Sequence, residues 1–282
     1  MVDIDLFLTA LYVEVDDFLK TEPLEETSGP DCKLTRSEAV TLLLFSQWRR
    51  FSSERDFYRF AETELLSAFP NLPTREQLNR QFRHLYYDAC RFIQHLVAIL
   101  NADDALYEAL DAAAVVTRDC KRRGIGWLLE ADIGHSNRLG WFEGLKLLLS
   151  TTKDGVITGF GLAAASAKEQ PMAETFFHLR TFPDDSYPEI GTSAKGIYYP
   201  VDKGFEGKDN HQRWADDYNA DVICPPKRNA KQPWPKRLRR WVASIRQMVE
   251  TVFDKLNNTF RLDKERPHCL SGIKTRIAAK VA

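Results

Sequence analysis

From residue 1 to about 100, apolar positions recur three and four apart: Leu6, Leu8, Leu11, Val15 and Phe18, then Val40, Leu43, Leu44 and Trp48. Such spacing gathers side chains on one face of a helix, where 3.6 residues make a turn. Start signals agree with it. Thr35 followed by Glu38, and Thr74 followed by Gln77 after Pro73, have capping-box spacing. Glu22–Lys33 and Phe69-Pro70-Asn71-Leu72-Pro73 read as loops between helices. The pattern predicts an all-helical N-terminal domain over residues 1–100.

Beyond a boundary at Asn101–Ala105 the period changes, and residues 101–282 read as a second domain. Leu106–Val116 is an apolar run interrupted by Glu108 and Asp111, read as a central strand that closes on the Asp111 carboxylate. Trp141–Thr152 and Val156–Ala164 are β-rich and meet through Lys153-Asp154-Gly155, a hairpin signal because Asp-Gly tolerates the positive φ of tight turns. Pro171 opens a helix through Arg180. Gly196–Val201 reads as a fourth strand ending at Asp202, Gly207–Tyr218 as a helix and Asp221–Cys224 as a fifth strand. A last helix from Trp234 carries the stripe Val242, Ile245, Val249, Val252 and Leu256. The predicted class is α/β, a mixed sheet in the order βββαβαβα flanked by helices.

Composition excludes several classes. With 44% hydrophobic and 28% charged residues among 282, the chain can bury a core and is neither disordered nor membrane-like. It shows no secretory leader and no run near the roughly 18 to 20 apolar residues of a membrane span, so a cytoplasmic protein is expected. The five cysteines, Cys32, Cys90, Cys120, Cys224 and Cys269, include no C-x-x-C pair and read as free thiols. His135 and His211 read as surface or loop residues. The net charge of −1 is silent about partners, but its distribution is not. Residues 1–31 carry nine acids against Lys20 alone. By contrast, Lys227, Arg228, Lys231, Lys236, Arg237, Arg239, Arg240 and Arg246 fall in an acid-free stretch over 225–249. That stretch is a candidate footprint for a polyanion, or simply a solvated helix start.

Asp111 and Asp202 at two strand ends can meet if those strands are neighbours, and Glu250 on the last helix can close the group. Clustered carboxylates repel unless cations neutralise them, and hard oxygen donors favour Mg²⁺ or Mn²⁺. Two such ions about 3.5 to 4 Å apart stabilise both the attacking and the leaving oxygen of a phosphodiester displacement. Each residue also has a simpler reading. Asp111 also reads as a strand-end carboxylate satisfied by amides, Asp202-Lys203-Gly204 as a turn, and Arg246 with Glu250 as a surface pair worth about 0.3 to 0.5 kcal/mol.

Three stretches resemble the acidic motifs of insertion-sequence DDE transposases with an RNase H-like catalytic domain. They are Ala109-Leu110-Asp111-Ala112-Ala113, Val201-Asp202-Lys203-Gly204-Phe205, and Arg246 to Glu250 followed by Thr251-Val252-Phe253. Trp141-Phe142-Glu143-Gly144-Leu145-Lys146-Leu147 resembles the family's hairpin, and Leu72-Pro73-Thr74 with Leu78-Asn79-Arg80 its N-terminal region. The resemblance implies a bacterial transposase that cuts at transposon ends and transfers the 3′-hydroxyl strand into target DNA. Asp111, Asp202 and Glu250 would be catalytic and hold two Mg²⁺ or Mn²⁺ ions. Arg246, Lys203, Lys255, Lys146, Lys227, Arg228, Arg237, Arg239 and Arg240 would contact double-stranded DNA. A homodimer on DNA is implied, with the N-terminal domain binding the element's end or dimerising. The chain departs from the family pattern at Ala243, where a tyrosine is frequent, at Asn257, where a lysine is frequent, and at Leu148, where related hairpins carry histidine. An inactive DNA-binding remnant and an RNase H-like nuclease without strand transfer share the same residues.

Overall fold

The computed structural model describes residues 3–23, 33–49, 51–118, 126, 128–136, 138–191, 198–226 and 234–282. These form two compact units, Met1–His95 with Leu270–Ala282, and Leu96–Cys269.

In the first unit, helices α1 (Ile4–Thr21), α2 (Arg36–Trp48), α3 (Glu54–Glu64) and α4 (Arg75–His84) are followed by α5 (Tyr86–Ile99), which leaves the unit after His95. Both expected capping boxes form. The Thr35 hydroxyl accepts from Glu38 N at 3.2 Å while the Glu38 carboxylate accepts from Thr35 N at 2.7 Å, and Thr74 with Gln77 repeats the exchange. Each box satisfies amides that the first helical turn leaves without partners. α2 is buried from Ala39 through Ser46, the mark of a central helix rather than an amphipathic one.

The second unit opens on β1 (Ala109–Arg118), β2 (Asp132–Ser136), β3 (Gly140–Thr151) and β4 (Ile157–Ala164), all antiparallel. β1 lies on one edge of β3, with Asp111 opposite Leu149. The other edge is shared, β2 taking Gly140–Gly144 and β4 taking Leu145–Thr151. The β3–β4 turn has Gly155 at φ +81, as the Asp-Gly signal requires. After α6 (Glu169–Thr181) come β5 (Tyr198–Pro200), α7 (Lys208–Tyr218), β6 (Asp221–Ile223) and α8 (Lys236–Asp254), the last running into a π-turn at Lys255–Thr259. β5 and β6 pair in parallel. Parallel bridges Tyr107–Tyr198 and Leu110–Val201, with Glu108 N donating to Tyr198 O at 3.0 Å, join β5 to β1. The strands therefore follow one another as β4, β3, β1, β5, β6.

One face of this array packs Leu110, Leu148, Tyr199 and Val201 against Phe176 and Phe177 of α6 and Trp214 of α7. α8 packs against β1 and β3, burying Val242, Ile245, Val249 and Val252. Leu256 continues the buried stripe into the π-turn.

The structure corrects the predicted elements in four places. β2 was not expected, because Asp132-Ile133-Gly134-His135-Ser136 is polar and short; it forms where β3 offers a free edge. Gly134 suits that place, since a Cβ there would come within 2.4 Å of the Ala165 carbonyl oxygen. Asp111 does not end its strand. It is the third residue of β1, which runs on to Arg118 because β3 supplies partners as far as Glu143. α6 begins at Glu169, two residues before Pro171. Finally, α9 (Leu270–Val281) packs on α2 and α4 in the first unit, whereas periodicity had kept residues 101–282 together. Gly196, expected to open the fourth strand, lies outside the described residues.

A buried charge pair crosses these elements. Glu108, the residue before β1, and Arg180 of α6 meet at 2.5 Å with side chains 1% and 2% exposed. Ser150 of β3 and Thr158 of β4 donate hydroxyls to the same carboxylate, Arg180 Nη1 reaches the Tyr199 hydroxyl of β5 at 3.1 Å, and its Nε reaches Ile190 O at 3.2 Å. Removing one member of such a pair strands the other's charge away from water. Arg180→Met should therefore cost about 3 to 5 kcal/mol of unfolding free energy. Arg180→Met/Glu108→Leu should recover much of that cost in the same urea titration. A single variant as stable as wild type would refute this account.

Candidate active site

The parallel bridge between Leu110 and Val201 determines the site's frame. The residues following each bridge partner are Asp111 and Asp202, so the two acids leave neighbouring backbones side by side, close enough for the charge of Asp202 to act on Asp111. Strand alternation turns Asp111 away from the Leu110 core and toward α8. Asp202 comes after β5 and Val201 and leads the short helical turn Lys203–Phe205. The Cys224 thiol, just past β6, donates to the Asp202 carbonyl at 3.5 Å, and burial pushes that thiol up to about 11.

α8 supplies the opposing groups. Arg246 Nη1 lies 3.3 Å from Asp202 Oδ1 and Nη2 lies 3.6 Å from Glu250 Oε1, so one guanidinium spans both carboxylates. Asp111 is pushed up to about 6 from 3.8. Burial is the main cause, and it outweighs the hydrogen bond from Ala112 N at 2.8 Å and the attraction of Arg246, while the Asp202 and Glu169 carboxylates push the same way as burial.

Glu169 is a fourth acid at the site that the sequence reading passed over. It opens α6, and its carboxylate rests on Gly204, where a Cβ would meet Oε2 at 1.6 Å. The neighbouring Gln170 amide donates to the Glu206 carbonyl, so the first turn of α6 clamps the turn after Asp202 from both sides. Burial raises the Glu169 carboxyl, against the pull of Lys146 and with the push of Asp202. The available signal was Gly204 itself, a glycine next to an acidic motif that reports a close approach.

The remaining predicted residues divide. Lys146, expected at DNA, donates to the Ala167 carbonyl at 2.6 Å beside Glu169. Lys203, Lys255, Arg237, Arg239 and Arg240 are exposed, the last three on the opening turns of α8. Asn257, at the position where a lysine was looked for, is buried because the π-turn shifts the helical register there. Lys227 and Arg228 lie outside the described residues, as do Cys32 and Cys120. Cys90, Cys224 and Cys269 form no disulfide among the described residues. His135 is exposed on β2, and His211 of α7 contacts Phe205 O at 2.7 Å through its Nε2. Trp241 is 37% exposed and meets Tyr107 edge-on at 5.5 Å. No helix among the described residues is long and apolar enough to cross a membrane.

Carboxylate oxygens are the donors that hard divalent cations take. As placed, however, no three His, Cys, Asp or Glu side chains among the described residues gather closely enough to hold a metal ion. Arg246 stands between Asp202 and Glu250 instead.

Two outcomes follow from this arrangement. Folded Asp111 holds its proton more tightly than the unfolded chain does, so its contribution to stability is full below pH 3.8 and is lost as pH rises through about 6. Asp111→Asn should then gain melting temperature on wild type across that window and keep the gain above it, measured without divalent metal. A difference flat with pH would contradict the buried-carboxyl account. Separately, Gly204→Ala should stay within about 0.5 kcal/mol of wild type, because a Cβ there would meet only the far end of the flexible Glu169 side chain, which can swing aside. Thermal melts check this; a loss several times larger would show that Glu169 is pinned against the turn.

No curated protein and no solved structure matches the chain. A family model described as the transposase DDE domain matches residues 120–282, a span that holds Asp202, Arg246 and Glu250 and begins after Asp111. With more than half of its length matched, the chain belongs to the DDE transposase family.

Proposed function

We propose that this DDE transposase serves a bacterial insertion sequence, cutting at the element's ends and joining the freed 3′-hydroxyl strand to target DNA. The observation that carries the reading is the Leu110–Val201 bridge, which puts Asp111 and Asp202 side by side with Glu250 and Arg246 of α8 facing them. The strand order β4, β3, β1, β5, β6, antiparallel through β1 and parallel beyond, supports an RNase H-like topology for the second unit.

The reaction has two displacements. Water attacks a phosphodiester at the element's end and a 3′-hydroxyl leaves; that hydroxyl then attacks a target phosphodiester and displaces a target 3′-hydroxyl. Asp111, Asp202 and Glu250 are the catalytic carboxylates in this reading, with Mg²⁺ or Mn²⁺, two per site, as the cofactor class their oxygens suit. Among the described residues, no three such side chains gather closely enough to hold an ion as placed. Arg246 offers two parallel donors to a backbone phosphate. Arg237, Arg239 and Arg240 extend that positive edge along α8, and Lys203 and Lys255 add exposed cations, the first next to Asp202 in the chain and the second at the end of α8. Lys227 and Arg228 belong to the same basic stretch of sequence. Two ends must be paired before joining, so the active form is at least a homodimer on DNA. The helices of residues 1–100 are assigned to end binding or dimerisation.

The test incubates the protein with Mg²⁺ or Mn²⁺, a labelled duplex of the element's terminal repeat and a target plasmid, beside Asp202→Ala and Glu250→Gln. Metal-dependent nicking and joining should appear with wild type and vanish in both variants. Cutting without joining would replace the proposal with a nuclease, and binding without cutting with an inactive remnant.

A further inference from the structure

Leu106, Tyr198 and Trp241 are 82%, 49% and 37% exposed, and they gather at one end of the second unit's sheet. Tyr198 N donates to the Leu106 carbonyl at 3.4 Å, Tyr107 is the parallel bridge partner of Tyr198, and the Tyr107 ring meets Trp241 edge-on at 5.5 Å. Burial and the charge of Asp154 both raise the Tyr107 hydroxyl above its ordinary value, so it stays a neutral donor. Beside these rings stand the exposed Arg237, Arg239 and Arg240, in a stretch over 225–249 that holds no acid. Large apolar side chains left together in water mark a surface that something covers, and the arginines around them call for a polyanion.

This surface shares a face with the catalytic carboxylates. Glu108 and Leu110 point toward α6, so Tyr107 and Asp111 point the other way, toward α8. On the neighbouring strand Tyr199 and Val201 join the α6 core, which leaves Tyr198 and Asp202 on the α8 side. Tyr198 precedes Asp202 by four residues of extended chain, about 13 Å. α8 spans that distance with charge. Arg239, Ala243 and Arg246 follow at i, i+4 and i+7 on one side of the helix, and the contact of Arg246 with Asp202 turns this side toward the end of β5. Ala243 puts no bulk between the two arginines.

We infer that this surface is a stacking platform for unpaired DNA: Tyr198 and Trp241 take base faces, while Arg239 and Arg246 hold the phosphates of the strand that leads to Asp202 and Glu250. The inference rests on the proposed reading in taking DNA as what the carboxylates act on, and adds that the strand arriving over the platform is single. Charge alone would accept duplex as readily, but an aromatic ring stacks only on a base whose face is uncovered. At about 3.4 Å per stacked nucleotide, 13 Å sets the platform roughly four nucleotides from the carboxylates. Binding of this kind needs no divalent cation.

The test measures binding by fluorescence anisotropy on the full chain, in EDTA, to a short labelled oligothymidine and to a labelled mixed-sequence duplex of equal length. Tyr198→Ala and Trp241→Ala should each weaken the single strand about tenfold and shift the duplex by less than about twofold. Tyr198→Phe and Trp241→Phe, which keep a ring face, should hold the strand within about threefold of wild type. Arg239→Gln should weaken both ligands and lower the slope of log affinity on log salt by about 0.7 for the strand. The control Phe182→Ala, an exposed ring at the end of α6, should change neither. Equal losses for strand and duplex in the alanine variants, phenylalanine variants as weak as the alanine ones, or no binding of the strand by wild type overturns the inference. So does altered sedimentation of the DNA-free protein in Trp241→Ala, which would make the surface an interface between copies of the chain. Stacking observed in a protein that nicks no terminal-repeat duplex with Mg²⁺ or Mn²⁺ overturns the strand-transfer reading alone.

Discussion

The second unit depends on a charge pair sealed from water. Glu108 and Arg180 sit where β1, β3, β4, β5 and α6 converge, and every donor around the Glu108 Oε2 atom comes from a different element. A buried ion pair is weak evidence for stability, since desolvation costs offset the attraction. It is stronger evidence for register, because slipping any strand by one residue would break a hydrogen bond that nothing nearby could replace. Here the register matters to chemistry. Glu108 is three residues from Asp111, and Tyr199 is three residues from Asp202, so the pair that aligns β1 with β5 also aligns the two carboxylates.

The site's electrostatics follow from that alignment. Strand neighbours place Asp111 and Asp202 together, α6 adds Glu169, and α8 adds Glu250, a gathering of negative charge that burial makes costlier. Arg246 and Lys146 answer it, the first between Asp202 and Glu250, the second beside Glu169. The second cation is also tied to a backbone carbonyl, and the first spans two carboxylates.

Much of this was readable from residue order. The capping boxes, the Asp-Gly hairpin and the apolar stripe of α8 are local signals, each decided within a few residues, and each formed as expected. The three acids were found through motif resemblance, with Asp111 and Asp202 adjacent in the fold and Glu250 linked to Asp202 through Arg246. The misses share a cause. β2 forms only because β3 has an edge to fill, α9 joins the first unit because α2 and α4 accept its small residues, and Glu169 reaches the site only across the contact with Gly204.

The sequence by itself determined the helical and strand periods, the order of most elements and which acids are candidates for the site, because those follow from side-chain spacing and from residue types that few chemistries share. Only the tertiary structure decided which strand lies beside which, where within β1 Asp111 falls, that a fourth carboxylate faces the site, and that Arg246 bridges two acids. These are matters of long-range pairing and burial, and no local pattern encodes the distance between residues 111, 202 and 246 until β1, β5 and α8 have packed together.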